Sequence, residues 1–80
     1  DPLFTIRTNV LGTANILNSI KNQKNRVVSV IITSDKCYEN VEKRAGYLET
    51  DRLGGSDPYS ASKASAEIAI QSYFKTYFNL

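Results

Sequence analysis

Val27-Val28-Ser29-Val30-Ile31-Ile32-Thr33 is β-branched at six of its seven positions and apolar without clean alternation. A run this short and this β-branched has the composition of a strand covered on both faces, as in a parallel sheet flanked by helices. One strand cannot satisfy its own backbone donors and acceptors, so its sheet neighbours are expected outside these residues. On the N-terminal side, Pro2 to about Asn22 reads as a helix, because Ile6, Val10, Ala14, Leu17 and Ile20 recur at steps of three and four. Asp1 and Pro2 suit an N-cap and a first helical position. On the C-terminal side, Asp35 to Asp57 is a polar connection with turn residues Gly46, Gly54 and Gly55. Connections of that length in compact domains are mostly functional. Pro58 to Leu80 reads as a second helix capped by Asp57, small-residue-rich at its start and aromatic at its end (Tyr73, Phe74, Tyr77, Phe78). The order helix, buried strand, long loop, helix predicts an α/β fold built on a doubly wound parallel sheet.

The 80 residues carry ten Lys/Arg against eight Asp/Glu, a net charge of +2. The bases are scattered from Arg7 to Lys75 rather than gathered in a stripe, which argues against a nucleic-acid partner. With no His and a single Cys37, neither a zinc site of the usual ligand types nor an internal disulfide is expected. No apolar run approaches the ~18 residues a membrane-spanning helix needs, so a soluble, cytoplasmic protein with no membrane partner is expected. There is no Met, and the helical pattern is still running at Leu80. The residues are therefore expected to be a piece of a longer protein, inactive and poorly folded by themselves.

Tyr59 and Lys63, four apart at a helix start, share one helix face. A phenol with an ordinary pKa of about 10 serves as a base near neutrality only with help, and a neighbouring ammonium favours its ionised form. Ser34 and Asp35 stand where the expected strand ends, the edge at which open α/β sheets collect their ligands. Taken singly, each feature also fits a plainer role, a surface pair or a loop start and cap.

The combination is more specific. A strand ending in Thr33-Ser34-Asp35-Lys36, with Tyr59-x-x-x-Lys63 opening a helix twenty-five residues after Ser34, resembles the extended branch of the short-chain dehydrogenase/reductase superfamily. Thr8-Asn9-Val10-Leu11-Gly12-Thr13 is similar to that branch's Asn-Val-x-Gly-Thr helix, with Gly12 expected at a close contact between helices. Ser34-Asp35-Lys36-Cys37-Tyr38-Glu39-Asn40 and Gly54-Gly55-Ser56-Asp57-Pro58-Tyr59-Ser60 resemble the CDP-sugar group of the nucleotide-sugar 4,6-dehydratases. Epimerases of the branch generally lack the acid after the Ser or Thr, and dTDP-sugar dehydratases carry Asp-Glu where Asp35-Lys36 stands.

The resemblance implies that residues 1–80 are the central part of one NAD-binding Rossmann-like domain, incomplete at both ends. The family's glycine-rich NAD turn would precede them and its nucleotide-sugar domain would follow. It implies NAD as cofactor, CDP-glucose as substrate and CDP-4-dehydro-6-deoxyglucose as product. In that scheme Ser34, Asp35, Lys36, Tyr59 and Lys63 are catalytic, and Thr33, Tyr59 and Lys63 also hold the cofactor. Tyr59 takes the proton from O4, Lys63 assists it, and Ser34 holds O4. Asp35 is the acid for the departing 6-hydroxyl, a role that partial burial favours. Lys36 is either a C5 base or an electrostatic support. Asn9 supports the site, Tyr38, Glu39 and Asn40 line the sugar pocket, and Cys37 is packed rather than nucleophilic. The helices at 2–22 and 58–80 are expected to pair with their copies in a homodimer. Another nucleotide-sugar epimerase or dehydratase of the branch, or a non-catalytic nucleotide-binding member, stays open at this stage.

Overall fold

The computed structural model describes residues 1–39 and 46–78. The N-terminal helical rod begins with α1 (Pro2–Ile6), capped by Asp1, whose carboxylate accepts from the Leu3 amide at 3.1 Å. It continues through a π-helical turn, Arg7–Leu11, and resumes as α2 (Gly12–Lys21). The regular helix expected over this stretch is thus interrupted in its middle. Where the ladder changes register, the Gly12 amide reaches back five residues to the Arg7 carbonyl, and the Thr13 hydroxyl donates to the Asn9 carbonyl at 2.6 Å. Gly12 is not at a close contact: a Cβ there would meet nothing within 4 Å.

The second long helix, α3 (Pro58–Thr76), is capped by Asp57 and ends at Tyr77, short of the Leu80 expected. Residues 79–80 lie outside the described residues. α3 packs against both halves of the first rod and against a 3-10 turn, Asp35–Cys37. Its buried residues are Ser60, Ser62, Ala64 and Ala66, small side chains that let neighbouring backbone come close. Leu17 from α2 and Cys37 from the turn complete the fully covered set. At the far end Tyr73 lies 5.2 Å from Tyr77 and 6.2 Å from Phe78, and the Lys21 ammonium sits 4.7 Å from the Tyr77 ring centre, joining the two helix ends.

Residues 27–33 form no sheet ladder, and among the described residues the lone β-bridge is Tyr38 with Leu53, antiparallel. The segment is also not covered on both faces. Val28, Val30 and Ile32 are 88%, 83% and 79% exposed, whereas the alternating Ser29, Ile31 and Thr33 are half-buried. That period of two is how a strand presents its side chains. Residues 28–32 share a hollow with Thr13, Ile16 and Ile20 of α2, and no described element covers Val28, Val30 and Ile32 or supplies a partner for the segment's backbone. No helix among the described residues is long and apolar enough to cross a membrane.

Candidate active site

Ser34 follows the 27–33 segment in extended conformation and caps the Asp35–Cys37 turn, its hydroxyl accepting from the Lys36 amide at 3.1 Å. The turn packs on α3 with Cys37 only 2% exposed. Burial, and secondarily the charge of Glu67, push the Cys37 thiol up, so it is a packed and unreactive group as expected. Asp35 departs from expectation: it is exposed, since no described element covers that side of the turn.

After the turn the chain runs out and back. The Glu39 amide donates to the Arg52 carbonyl at 2.8 Å and the Gly54 amide to the Cys37 carbonyl at 2.8 Å. Tyr38 stacks on Tyr47, with ring centres 5.4 Å apart and planes at 10°. The result is an open cleft of about 790 Å³ whose lining includes Asp35, Lys36, Tyr38, Glu39 and Tyr47. Its far wall is Gly54 to Asp57 and Ser60. Of the residues expected around a sugar pocket, Tyr38 and Glu39 line this cleft and Asn40 lies outside the described residues. Tyr47 had no motif to mark it; a lone Tyr in a polar loop signals nothing until folding stacks it on Tyr38.

Gly55 and Asp57 fix how the cleft wall enters α3. A Cβ on Gly55 would lie 2.5 Å from the Ala61 nitrogen and 2.6 Å from the Ser60 carbonyl carbon, so only glycine lets the loop pass this close. Asp57 accepts from the Ser60 amide and the Ser60 hydroxyl, both at 2.9 Å. Those bonds hold its carboxyl below the usual carboxylate range, with a smaller contribution from the Lys36 charge. Lys36 lines the same cleft as Asp57 and Ser60 at the start of α3.

Tyr59 and Lys63 occupy one face of α3, with the Lys63 ammonium 5.9 Å from the Tyr59 ring centre. Tyr59 is 44% exposed. Among the described residues no carboxylate lies within ion-pair distance of Lys63. Neither side chain lines the cleft, which meets the same helix one residue away at Ser60. Asn9, in the π-helical turn, donates to the buried Ser62 hydroxyl at 2.9 Å, and Ser62 donates to the Tyr59 carbonyl at 2.6 Å. Thr33 donates to the Glu67 carboxylate. Ser62 and Glu67 are connections that sequence spacing did not mark.

A hydroxyl at the end of an extended segment, an acidic and a basic residue on a tight turn, and a phenol and an ammonium on one face of the helix that the turn packs against thus lie on adjoining elements. The chain belongs to the family described as GDP-mannose 4,6 dehydratase, which matches residues 1–79, and this is a Rossmann-type family. It is 45% identical over 78 residues to the CDP-glucose 4,6-dehydratase of Salmonella typhimurium, covering 98% of this chain and 22% of that protein. It is 32% identical over 74 residues to the dTDP-glucose 4,6-dehydratase of Mycobacterium tuberculosis, covering 90% of this chain and 22% of that protein. Against dTDP-glucose 4,6-dehydratase 1 of Escherichia coli it is 30% identical over 93 residues, or 95% of this chain and 26% of the relative. The chain thus spans between a fifth and about a quarter of the length of these relatives.

Proposed function

We propose that these residues belong to an enzyme that converts CDP-glucose to CDP-4-dehydro-6-deoxyglucose and water, with residues 1–80 as the central part of its dinucleotide-binding domain. The observation that carries the reading is the Ser34-Asp35-Lys36 turn packed against the helix that opens with Tyr59 and Lys63. The 45% identity to a protein named for this reaction supports the CDP-sugar over the dTDP-sugar alternative.

The residues present fit the nicotinamide-ribose end of NAD: Lys63 has no carboxylate partner among the described residues, and it and Tyr59 are partly open to solvent. Thr33, Tyr59 and Lys63 would hold that end. When bound, the dinucleotide supplies a reversible hydride acceptor. Tyr59, with the Lys63 ammonium 5.9 Å from its ring centre, takes the O4 proton while Ser34 donates a hydrogen bond to O4. The resulting 4-keto group acidifies the C5 proton. Asp35 carries that C5 proton to the departing 6-hydroxyl, which leaves as water, and hydride returned to C6 with a proton to C5 completes the 4-keto-6-deoxy sugar. Lys36 stabilises the enolate by its positive charge. Asn9 acts through Ser62, fixing the backbone of Tyr59 rather than touching the sugar.

A homodimer is part of this reading. Leu3, Phe4, Leu11, Ile16 and Ile68 are all more than half exposed along the helices, an apolar surface that a second copy would cover.

The test is the fate of hydrogen from C4. Full-length protein given CDP-glucose deuterated at C4 should yield a 4-keto-6-deoxy product with deuterium at C6. Deuterium found back at C4 of an inverted sugar would replace the reading with an epimerase.

A further inference from the structure

Thr33 and Glu67 are thirty-four positions apart, yet the Thr33 hydroxyl donates to the Glu67 carboxylate. Both residues are half-buried. Glu67 continues the row of Tyr59 and Lys63 along α3 at a further step of four. A Lys and a Glu at that spacing ordinarily attract each other, but no ion pair joins Lys63 to Glu67. The ammonium stands near the Tyr59 ring, and the carboxylate is turned to Thr33. Cys37 sits at the same junction, where the Thr33 side chain and the Glu67 charge both act on its thiol.

We propose that Glu67 is a positioning residue: by accepting from Thr33 it fastens the end of the 27–33 segment to α3 and holds the Ser34-Asp35-Lys36 turn beside the helix of Tyr59 and Lys63. The bond has a second effect. With its carboxylate engaged, Glu67 does not compete with Tyr59 for the Lys63 ammonium. Without the Thr33 hydroxyl the carboxylate is free to pair with Lys63 one turn away, drawing the cation from the phenol it serves. The catalytic part of this inference rests on the dehydratase reading; the fastening does not.

The experiment compares Thr33→Val, Glu67→Leu, Glu67→Gln and the double variant Thr33→Val/Glu67→Leu in the full-length protein. The first readout is the rate at which iodoacetamide alkylates Cys37, followed by mass spectrometry of the peptide that carries it, with no substrate or dinucleotide added. Thr33→Val and Glu67→Leu are each expected to speed labelling about tenfold, and the double variant little more than either, because both remove one bond. Glu67→Gln, whose amide oxygen still accepts from Thr33, recovers most of the protection lost in Glu67→Leu. Both Glu67 variants lose the charge, so the difference between them reads the bond. The second readout is turnover of CDP-glucose, where Thr33→Val and Glu67→Leu should lower kcat about tenfold with KM within about twofold, and Glu67→Gln should restore most of kcat. Should Glu67→Leu fail to fold, the nearly isosteric Thr33→Val and Glu67→Gln carry the comparison. Labelling as slow in Thr33→Val as in the unmodified protein, or additive effects in the double variant, overturns the fastening. A wild-type protein that leaves CDP-glucose untouched overturns the dehydratase reading instead, and labelling then decides the fastening alone.

Discussion

The side-chain amide of Asn9 donates to the Ser62 hydroxyl at 2.9 Å, and through Ser62 it reaches the backbone of Tyr59. A π-helical turn and the first turns of α3, fifty-three positions apart at this contact, are thereby one hydrogen-bonded unit with Ser62 only 1% exposed. Removing the donor leaves a buried hydroxyl with one partner fewer. Asn9→Leu is therefore expected to cost roughly 1–2 kcal/mol of stability, read from urea unfolding of the full-length protein. Ser62→Ala should cost a similar amount, and the pair together less than the sum.

Gly12 and Gly55, neither of them at positive φ, should respond in opposite directions. Gly12 has helical angles (φ −59, ψ −45) and open space where a Cβ would go, so Gly12→Ala is expected to stabilise by about 0.5–1 kcal/mol. Gly55→Ala would force a methyl within 2.5 Å of the Ala61 nitrogen, in a wall of the cleft. A loss of about 2 kcal/mol or more is expected. Equal melting temperatures for the two variants would contradict the packing described.

Asp57 makes stability depend on acid. Its carboxyl is held below its ordinary value of 3.8, chiefly by the bonds from Ser60. A group whose pKa is depressed by folding contributes stability that is complete above the unfolded value and is lost as pH falls through the folded one. Asp57→Ala, which has no acceptor for the Ser60 amide, should melt lower than the wild type at pH 6. The gap should narrow as pH falls below about 3.8, where the wild-type carboxylate is itself protonated in the unfolded chain and then in the folded one. A gap that is constant from pH 6 to pH 2 would show that the cap does not act as a carboxylate.

Much of this was legible in the residues. Asp1-Pro2 and Asp57-Pro58 announce both long helices because capping is a local interaction between neighbours in the chain. The shared face of Tyr59 and Lys63 could be read because helical spacing is also local, whereas the strand expected to end at Thr33 forms no ladder among the described residues. The π-helical turn at Arg7–Leu11 was not, since nothing in the Thr8-Asn9-Val10 composition distinguishes a five-residue step from a four-residue one. Glu67, Ser62 and Tyr47 escaped for another reason. Each acquires its partner only when remote segments meet: Thr33, Asn9 and Tyr38. The two-sided burial expected for 27–33 also depends on partners rather than on the segment, and among the described residues Val28, Val30 and Ile32 find none to cover them.

Product formation from CDP-glucose by the full-length protein, wild type against Tyr59→Phe, tests the central claim most directly. Wild-type protein with NAD should accumulate a 4-keto-6-deoxy sugar nucleotide that absorbs in alkali. Phe keeps the ring but has no proton to exchange, and should slow that reaction by about 10²-fold or more with little change in KM. Equal rates for the two proteins, or a wild type that merely inverts C4, would contradict the account.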